Sequence, residues 1–279
     1  MDNIRIFAFS DEASPDLDLQ IEALKRNKLQ GMEIRNVDNI NVSVLPVYKA
    51  REIRKKLDDN GLRVWSIGSP IGKIGIDDVF ANHMDTFKHT LEIAEILGAE
   101  NMRLFSFYMP EGEDPQKYRG KAIGRMAQFV EAAQDYDITL CHENEKGIYG
   151  DNAERCLDIH QHLPEVKAIF DPANFVQSGV DTLHAWELLK PYVKYMHIKD
   201  AVADGSVVPA GYGVGNLPTI VSEFVAQGGR EFTIEPHLTI FEGLRGLERE
   251  GERTKIRFEY PDSQTAFDVA CDSFKRLLV

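Results

Sequence analysis

The sequence predicts a single-domain α/β protein with a (β/α)8 TIM-barrel fold over residues 1–279. Short apolar segments suited to strands alternate with segments of helical periodicity. Eight such units follow one another at a spacing of about 30 residues, the size of a βαβ unit. Eight successive right-handed units close most economically into a barrel. The rival fold is a doubly wound open sheet, but the first strand–helix turn, residues 9–12, lacks its glycine fingerprint.

Four strand–helix units are predicted in the first half of the chain. Strands are expected at 4–9, 31–35, 62–67 and 101–106, and the last three helices at 47–60, 77–97 and 115–136. The first helix is expected to begin at Ser14 and Pro15, which have the residue types of an N-cap followed by the first helical position. Gly61 and Gly98 are typical of residues at which helices end.

The second half of the chain repeats the same alternation. Strands are expected at residues 138–142, 166–170, 193–198 and 231–235. The helices that follow them are expected at residues 152–163, 183–189, 217–227 and 263–278. No linker or low-complexity segment interrupts the series, so the pattern favours one continuous barrel.

Composition narrows the class of protein. The formal net charge is −13, which disfavours a nucleic-acid partner, because phosphate binding needs a basic surface. No apolar run approaches the length of a membrane-spanning helix, so no membrane partner is expected. Three cysteines without a CxxC motif are typical of a reducing compartment. Because the first residues also lack a signal-peptide core, we expect a cytoplasmic protein.

Carboxylates and a histidine follow the last four predicted strands. Glu143 follows the fifth strand, Asp171 the sixth, His197 lies in the seventh, and Glu235 ends the eighth. The carboxyl ends of barrel strands meet at one face, where active sites lie. Carboxylates gathered there repel one another unless a cation is present. Oxygen and nitrogen ligands together suit one divalent ion, Mn²⁺, Co²⁺, Mg²⁺ or Zn²⁺.

Each of these residues also has a structural interpretation. Glu143 has the alternative of a solvated loop acid, Asp171 of a helix or turn cap, and Glu235 of a turn residue before proline. His197 has the alternative of a buried structural histidine. All four structural interpretations must hold together for the barrel mouth to lack a site, which favours the metal centre.

Several short motifs in order resemble those of a known family. The chain resembles the sugar phosphate isomerase/epimerase family of xylose-isomerase-like TIM barrels in Glu143-Asn144, Asp171-Pro172, His197-Ile198-Lys199-Asp200, the Gly-rich segment 209–215 and Ile234-Glu235. The resemblance implies one divalent metal ion held by Glu143, Asp171, His197 and Glu235. It also implies that Glu143 and Glu235 act as acid and base on a sugar carbon.

The chain departs from the family pattern at two positions. Asn174 and Glu145 stand where many members have histidine, which leaves the metal set intact. Lys199 is the favoured partner for an anionic or hydroxyl group of the substrate. The substrate-binding candidates are Lys199, Asn174, Glu145, Arg103 and Glu33. The Gly-rich segment has a phosphate-cradle and a flexible-turn interpretation, and the absence of GxxxxGK[ST] favours the turn.

These observations predict a divalent-metal-dependent isomerase or epimerase of a small sugar or sugar phosphate, with manganese among its metals. Proton abstraction next to a metal-chelated carbonyl is the expected chemistry. The alternatives are a dehydratase or lyase acting on a keto-inositol or sugar acid, an apurinic-site endonuclease-like protein, and a non-catalytic binding protein. The charged segment 238–262 has the interpretation of a lid or an oligomer contact, which leaves a homo-oligomer open. A solvated face is the safer interpretation of its run of charges.

Overall fold

The protein is a closed eight-stranded parallel barrel surrounded by helices, which confirms the predicted TIM barrel. The computed structural model describes residues 3–241 and 254–279. The barrel strands are β1 (Arg5–Ala8), β2 (Gly31–Ile34), β3 (Arg63–Ile67), β4 (Asn101–Leu104), β5 (Thr139–Glu143), β6 (Lys167–Phe170), β7 (Val193–Ile198) and β8 (Glu231–Ile234). Every pairing between neighbours is parallel, and β1 pairs with both β8 and β2, which closes the barrel.

The helices occupy the outside of the barrel. Within the described residues they are α1 (Leu17–Arg26), α2 (Val47–Asp59), α3 (Phe80–Leu97), α4 (Arg119–Ala132), α5 (Ala153–His162), α6 (Pro172–Gln177), α7 (Thr182–Leu189), α8 (Leu217–Ala226) and α9 (Ser263–Leu277). The short helix α6 was not predicted, because it is only six residues long and carries no clear periodicity. Residues 242–253 of the charged segment 238–262, about half of it, lie outside the described residues.

The first helix begins later than the sequence predicts, and this is a correction. Its N-cap is Asp16, whose carboxylate accepts the N–H groups of Asp18 and Leu19. Ser14 instead accepts the N–H of Asp16 through its hydroxyl, at 3.2 Å. Asp and Ser are both good N-cap residues, so residue type alone did not distinguish the two positions.

The end of α3 agrees with prediction. Gly98 adopts the left-handed conformation at φ 66°, and its N–H donates to carbonyls in the last turn of the helix. A Cβ at this position would lie 1.8 Å from Arg54 Nη1. The backbone conformation therefore favours glycine here, whereas the Arg54 guanidinium ends a flexible, exposed side chain that can move aside.

An apolar layer closes the barrel beneath its carboxyl-end mouth. Phe7, Trp65, Cys141 and Tyr195 are fully buried and come from the alternate strands β1, β3, β5 and β7. The Phe7 and Trp65 rings stack with centroids 5.1 Å apart, and Trp65 packs edge-on against Tyr195 at 5.8 Å. Side chains two positions apart on a strand share a face. Glu143 and His197, each two residues beyond a member of this layer, therefore lie directly above it.

The Gly-rich segment 209–215 is an ordered turn held by one carboxylate. Asp200 accepts the backbone N–H groups of Gly211, Gly213 and Gly215 at 2.9–3.1 Å, and that of Ala201 at 2.9 Å. A Cβ on Gly213 would lie 2.3 Å from Asp200 Oδ1. Because these N–H groups already bind Asp200, they are not available to cradle a phosphate, and the turn interpretation holds.

Replacing Asp200 by alanine should lower the free energy of unfolding by about 2–4 kcal/mol. The change removes a buried acceptor and leaves several N–H groups without a partner, each at a cost of about 1–3 kcal/mol before relaxation or water entry. Denaturant unfolding followed by circular dichroism measures the effect. The control is Asp204→Ala, which removes an exposed turn contact to Ser206 and should cost no more than about 1 kcal/mol. Equal losses in the two variants would contradict this role of Asp200.

No helix within residues 3–241 and 254–279 is long and apolar enough to cross a membrane.

Candidate metal and catalytic site

The four predicted metal ligands meet at the carboxyl ends of β5 to β8. Glu143, Asp171, His197 and Glu235 each present one ligand atom, and these atoms all lie within 4.8 Å of one another. All four residues are at most 4% exposed. Neighbouring strands pair in parallel, for example with His197 beside Thr233. This pairing places residues that are distant in sequence at the same level along the barrel axis.

Glu143 is held by three neighbouring groups. Arg103 Nη1 donates to its Oε2 at 3.0 Å, and Asn174 Nδ2 donates to its Oε1 at 3.3 Å. His197 Nδ1 lies 2.8 Å from the same Oε1. Burial by itself raises the pKa of Glu143, but the positive charges of His197 and Arg103 outweigh it and lower the pKa to about 2. The carboxylate is therefore ionised at neutral pH, the form that accepts a proton.

His197 contacts a carboxylate through each of its ring nitrogens. Nδ1 faces Glu143 and lies 3.6 Å from Glu235 Oε2, whereas Nε2 lies 3.1 Å from Glu33 Oε2. Burial lowers the pKa of His197, but Glu143 and Glu33 raise it to about 10. Glu33 also accepts a hydrogen bond from Tyr195 Oη at 3.0 Å. Its carboxylate therefore orients the imidazole so that Nδ1 faces the other candidate ligands.

Asp171 begins helix α6 and is fully buried. Its Oδ1 accepts the N–H of Asn174 at 2.9 Å, as expected for an N-cap aspartate. Its backbone N–H and C=O both pair with the side-chain amide of Asn144. Oδ2 forms an ion pair with Lys199 at 3.0 Å but accepts no hydrogen bond of good geometry among the described residues. Burial, only partly opposed by Lys199, raises the pKa of Asp171 to about 7.

Glu235 lies between two sets of positive groups. Lys199 Nζ donates to its Oε2 at 2.9 Å, and Arg35 Nη1 approaches its Oε1 at 3.4 Å. Burial raises its pKa, but Lys199 and the neighbouring basic groups hold the pKa of Glu235 well below its usual range. Like Glu143, it is ionised at neutral pH.

A second buried cluster, which the sequence analysis missed, supports Glu235. Arg35 also pairs with Asp11 at 2.9 Å and with Glu12 at 3.0 Å, all three residues being at most 3% exposed. Glu12 Oε2 accepts the N–H of His237 at 2.6 Å. Burial raises the pKa of Glu12 to about 8. Asp11 and Glu12 lie three and four residues after the end of β1, so they too could have been identified as acidic residues beyond the carboxyl end of a strand.

The two histidines next to the candidate ligands have different surroundings. His142 alternates with Glu143 along β5 and faces the helices, where its Nε2 contacts Ser106 Oγ at 3.0 Å. This agrees with the outward orientation predicted from strand alternation. His237 instead lines the mouth of the barrel, with Nδ1 3.5 Å from Glu235 Oε1 and a left-handed backbone at φ 45°.

A polar cavity of about 390 Å³ opens above the cluster. Of the predicted substrate-binding residues, Lys199, Asn174, Glu145 and Arg103 line it. Glu145 forms an ion pair with Lys73 across 2.8 Å. Glu33 lies beneath the cavity, behind His197, and is 1% exposed. The cavity lining also includes Arg35, Lys73 and His237 among the described residues, so basic side chains surround the carboxylates.

The cluster has the chemistry that a divalent metal ion requires. Three carboxylates and one imidazole form a mixed oxygen and nitrogen set. Ligand atoms around one ion at about 2.0–2.2 Å lie up to roughly 4.3 Å apart, so the observed 4.8 Å limit needs only small side-chain rotations. Asp171 Oδ2 is buried beside Lys199 and accepts no hydrogen bond of good geometry among the described residues, so it retains lone pairs for an ion. The residues therefore fit a divalent ion.

Fold and site together define a TIM barrel with a buried acidic and histidine cluster at its mouth. A family model described as xylose isomerase-like TIM barrel matches residues 21–251. The chain belongs to this family, which confirms the resemblance drawn from the motifs. A comparison with curated proteins gives no significant sequence match.

Solved structures of the same architecture cover nearly the whole chain. The probable 3-DHS dehydratase AsbF involved in petrobactin synthesis from Bacillus anthracis has a TM-score of 0.74 at 13% identity, over 98% of each chain. The 3-keto-D-glucoside 4-epimerase YcjR from E. coli has a TM-score of 0.70 at 14% identity, over 99% of each chain. The IOLI protein with a bound zinc atom has a TM-score of 0.72 at 14% identity, over 99% of this chain and 98% of that one. At such identities the likeness shows the fold alone.

Proposed function

We propose that the protein is a divalent-metal-dependent isomerase or epimerase of a small carbohydrate or carbohydrate derivative. Glu143, Asp171, His197 and Glu235 hold the metal ion, and Glu143 and Glu235 move the proton at the reacting carbon. The proposal rests mainly on one observation, that two ionised glutamates both lie close to the imidazole ring of His197. They come from β5 and β8 and lie 2.8 Å and 3.6 Å from His197 Nδ1.

When bound, the divalent ion supplies Lewis acidity that acidifies a carbon next to a chelated carbonyl group. Glu143 and Glu235 approach from different strands, so each is suited to a different face of the substrate carbon. One carboxylate accepts the proton from the carbon and becomes neutral. The other takes up a proton from solvent before it returns one to the opposite face, as in general acid–base catalysis. Arg103 holds Glu143 Oε2 at 3.0 Å, which leaves Oε1 directed toward the cluster. Arg35 likewise contacts Glu235 Oε1 at 3.4 Å, which leaves Oε2 directed toward the cluster.

The size and lining of the cavity support a small polar substrate. Its volume of about 390 Å³ is within the usual range for small-molecule sites. Amide, carboxylate and ammonium groups from Asn174, Glu145 and Lys199 line it, and these groups bind hydroxyl and carbonyl oxygens. Among the structurally similar proteins, one carries the name of a 4-epimerase and another that of a dehydratase.

Addition of Mn²⁺, Co²⁺, Mg²⁺ or Zn²⁺ to chelator-treated protein should raise the melting temperature. A ligand at about 100 times its Kd stabilises the folded state by about 2.7 kcal/mol. Thermal unfolding with each ion in turn measures the effect and ranks the metals. An unchanged melting temperature with all four ions would remove the metal from the proposal.

The reaction itself is tested by solvent exchange. Metal-loaded protein is incubated in D2O with keto sugars, hydroxy sugars and sugar acids, and carbon-bound deuterium is measured by mass spectrometry. We expect deuterium in the substrate that turns over, because a carboxylate exchanges its proton with solvent. Retention of the carbon skeleton with changed configuration identifies an epimerase or isomerase. Loss of water identifies a dehydratase. Turnover without deuterium would contradict the two-glutamate mechanism.

A further inference from the structure

Lys199 lies between two of the four candidate metal ligands. Its Nζ is 3.0 Å from Asp171 Oδ2 and 2.9 Å from Glu235 Oε2, and its side chain is 8% exposed. Lys199 follows β7 two residues after His197, so both side chains leave the chain on the same side. The ammonium group is therefore part of the cluster and not only of the cavity wall.

The two oxygens that Lys199 contacts face the interior of the cluster. Glu235 Oε2 is the oxygen near His197 Nδ1, at 3.6 Å, whereas Oε1 faces Arg35. Asp171 Oδ1 is bound by the N–H of Asn174, which leaves Oδ2 for Lys199. The ammonium thus contacts the oxygens that a bound cation would contact.

This arrangement has an electrostatic consequence for the metal ion. In the metal-free chain the ammonium compensates two buried carboxylates that would otherwise repel each other. A divalent ion entering the cluster meets this positive charge at close range, in surroundings that screen it poorly. The ion must displace Lys199 or bind beside it. Either event lowers the affinity of the site for the metal ion.

Building on the metal site proposed above, we infer that Lys199 is a built-in competitor of the metal ion. Its ammonium holds Asp171 and Glu235 in the metal-free chain and weakens metal binding. When the ion binds, the ammonium turns toward the cavity that Lys199 already lines. There it contacts a hydroxyl or carbonyl oxygen of the substrate. Metal and substrate binding are then coupled, because a substrate that engages the ammonium removes the competition.

Titration with Mn²⁺ alone tests this inference without any substrate. Calorimetry gives the Kd of chelator-treated wild type, Lys199→Met, Lys199→Arg and Lys73→Met. We expect Lys199→Met to bind Mn²⁺ at least about tenfold more tightly than wild type, a typical size for such coupling. Lys199→Arg keeps the charge and should remain close to wild type. Lys73→Met should change the Kd less than about twofold, because Lys73 pairs with Glu145 outside the four ligands.

A second readout covers the case in which metal-free Lys199→Met is too unstable to titrate. Release of Mn²⁺ from the loaded variant to an excess of chelating indicator gives the dissociation rate constant from the folded, metal-bound state, which we expect to be lower than that of wild type. Addition of Mn²⁺ should also raise the melting temperature of Lys199→Met by more than that of wild type, because Asp171 and Glu235 have lost their own cation.

The outcomes separate this inference from the proposed function. If wild type binds Mn²⁺ and Lys199→Met binds it equally or more weakly, the inference is wrong, whereas the proposed metal site is retained. The ammonium would then brace the ligands and not compete. Mn²⁺ binding by Lys199→Met alone supports the inference. Failure of every variant to bind Mn²⁺ removes the metal site and the inference together.

Discussion

Replacing Glu235 or Glu143 by glutamine is expected to lower the rate of substrate turnover by a factor of about 10² to 10⁴ each. Glutamine retains the shape of the side chain and one oxygen that can face the metal ion, but it cannot accept a proton. Both glutamates are buried and ionised in the structure. The measurement is the rate of deuterium exchange at the substrate carbon, made at saturating metal with the bound metal quantified for each variant.

The matched control is Glu231→Gln. Glu231 lies at the other end of the same strand β8, where it pairs with Arg5. Because this position is remote from the site, the Glu231→Gln variant should change the exchange rate less than about threefold. A loss confined to one of the two glutamates would assign both proton transfers to that residue. Metal-saturated variants with unchanged exchange would contradict the acid–base role of both.

Replacing Asp171 by asparagine or His197 by alanine should reduce metal affinity by at least about 10². Loss of groups that only orient a metal ligand already costs about 10- to 100-fold, and these variants lose a ligand itself. Asp171→Asn keeps an oxygen that can cap α6, so the fold should survive. His197→Ala removes the ion-pair partner of Glu33 and leaves Glu143 paired with Arg103 alone, which should also lower stability.

Metal content after gel filtration and the Kd for Mn²⁺ measure this effect, and circular dichroism checks the fold. Asp204→Asn is the control, because Asp204 lines the same cavity outside the four-ligand cluster with 56% of its side chain exposed. Its Kd should equal that of wild type. Stoichiometric metal in both Asp171→Asn and His197→Ala would show that the ligand assignment is wrong.

Much of the architecture follows from local patterns in the sequence. Each of the eight barrel strands begins and ends within two residues of its prediction, because short buried strands are read directly from apolar runs between breakers. The ends of helices were harder to predict than the ends of strands. Asp16 and Ser14 are both suitable caps, and only the structure shows which carboxylate or hydroxyl meets the free N–H groups. The predicted fourth helix, 115–136, is a 3₁₀ turn at Pro115–Tyr118 followed by α4.

The gathering of the four candidate ligands was also predictable from the sequence. Glu143, Asp171, His197 and Glu235 each lie at a strand end, and closure of a parallel barrel brings such ends to one face. The residues therefore had to meet once the fold was correct. No knowledge of individual side-chain conformations was needed for that conclusion.

The pairing of charges within the site was decided only by the tertiary structure. The sequence gives no sign that Arg35 joins Asp11 and Glu12 to Glu235, or that Glu33 contacts His197 from beneath the cavity. Such pairs join residues up to 200 positions apart. Their partners depend on strand register and on which oxygen or ring nitrogen each rotamer presents. Strand order determines which residues meet, whereas packing in three dimensions decides which charges pair, and that pairing sets the pKa values on which the chemistry depends.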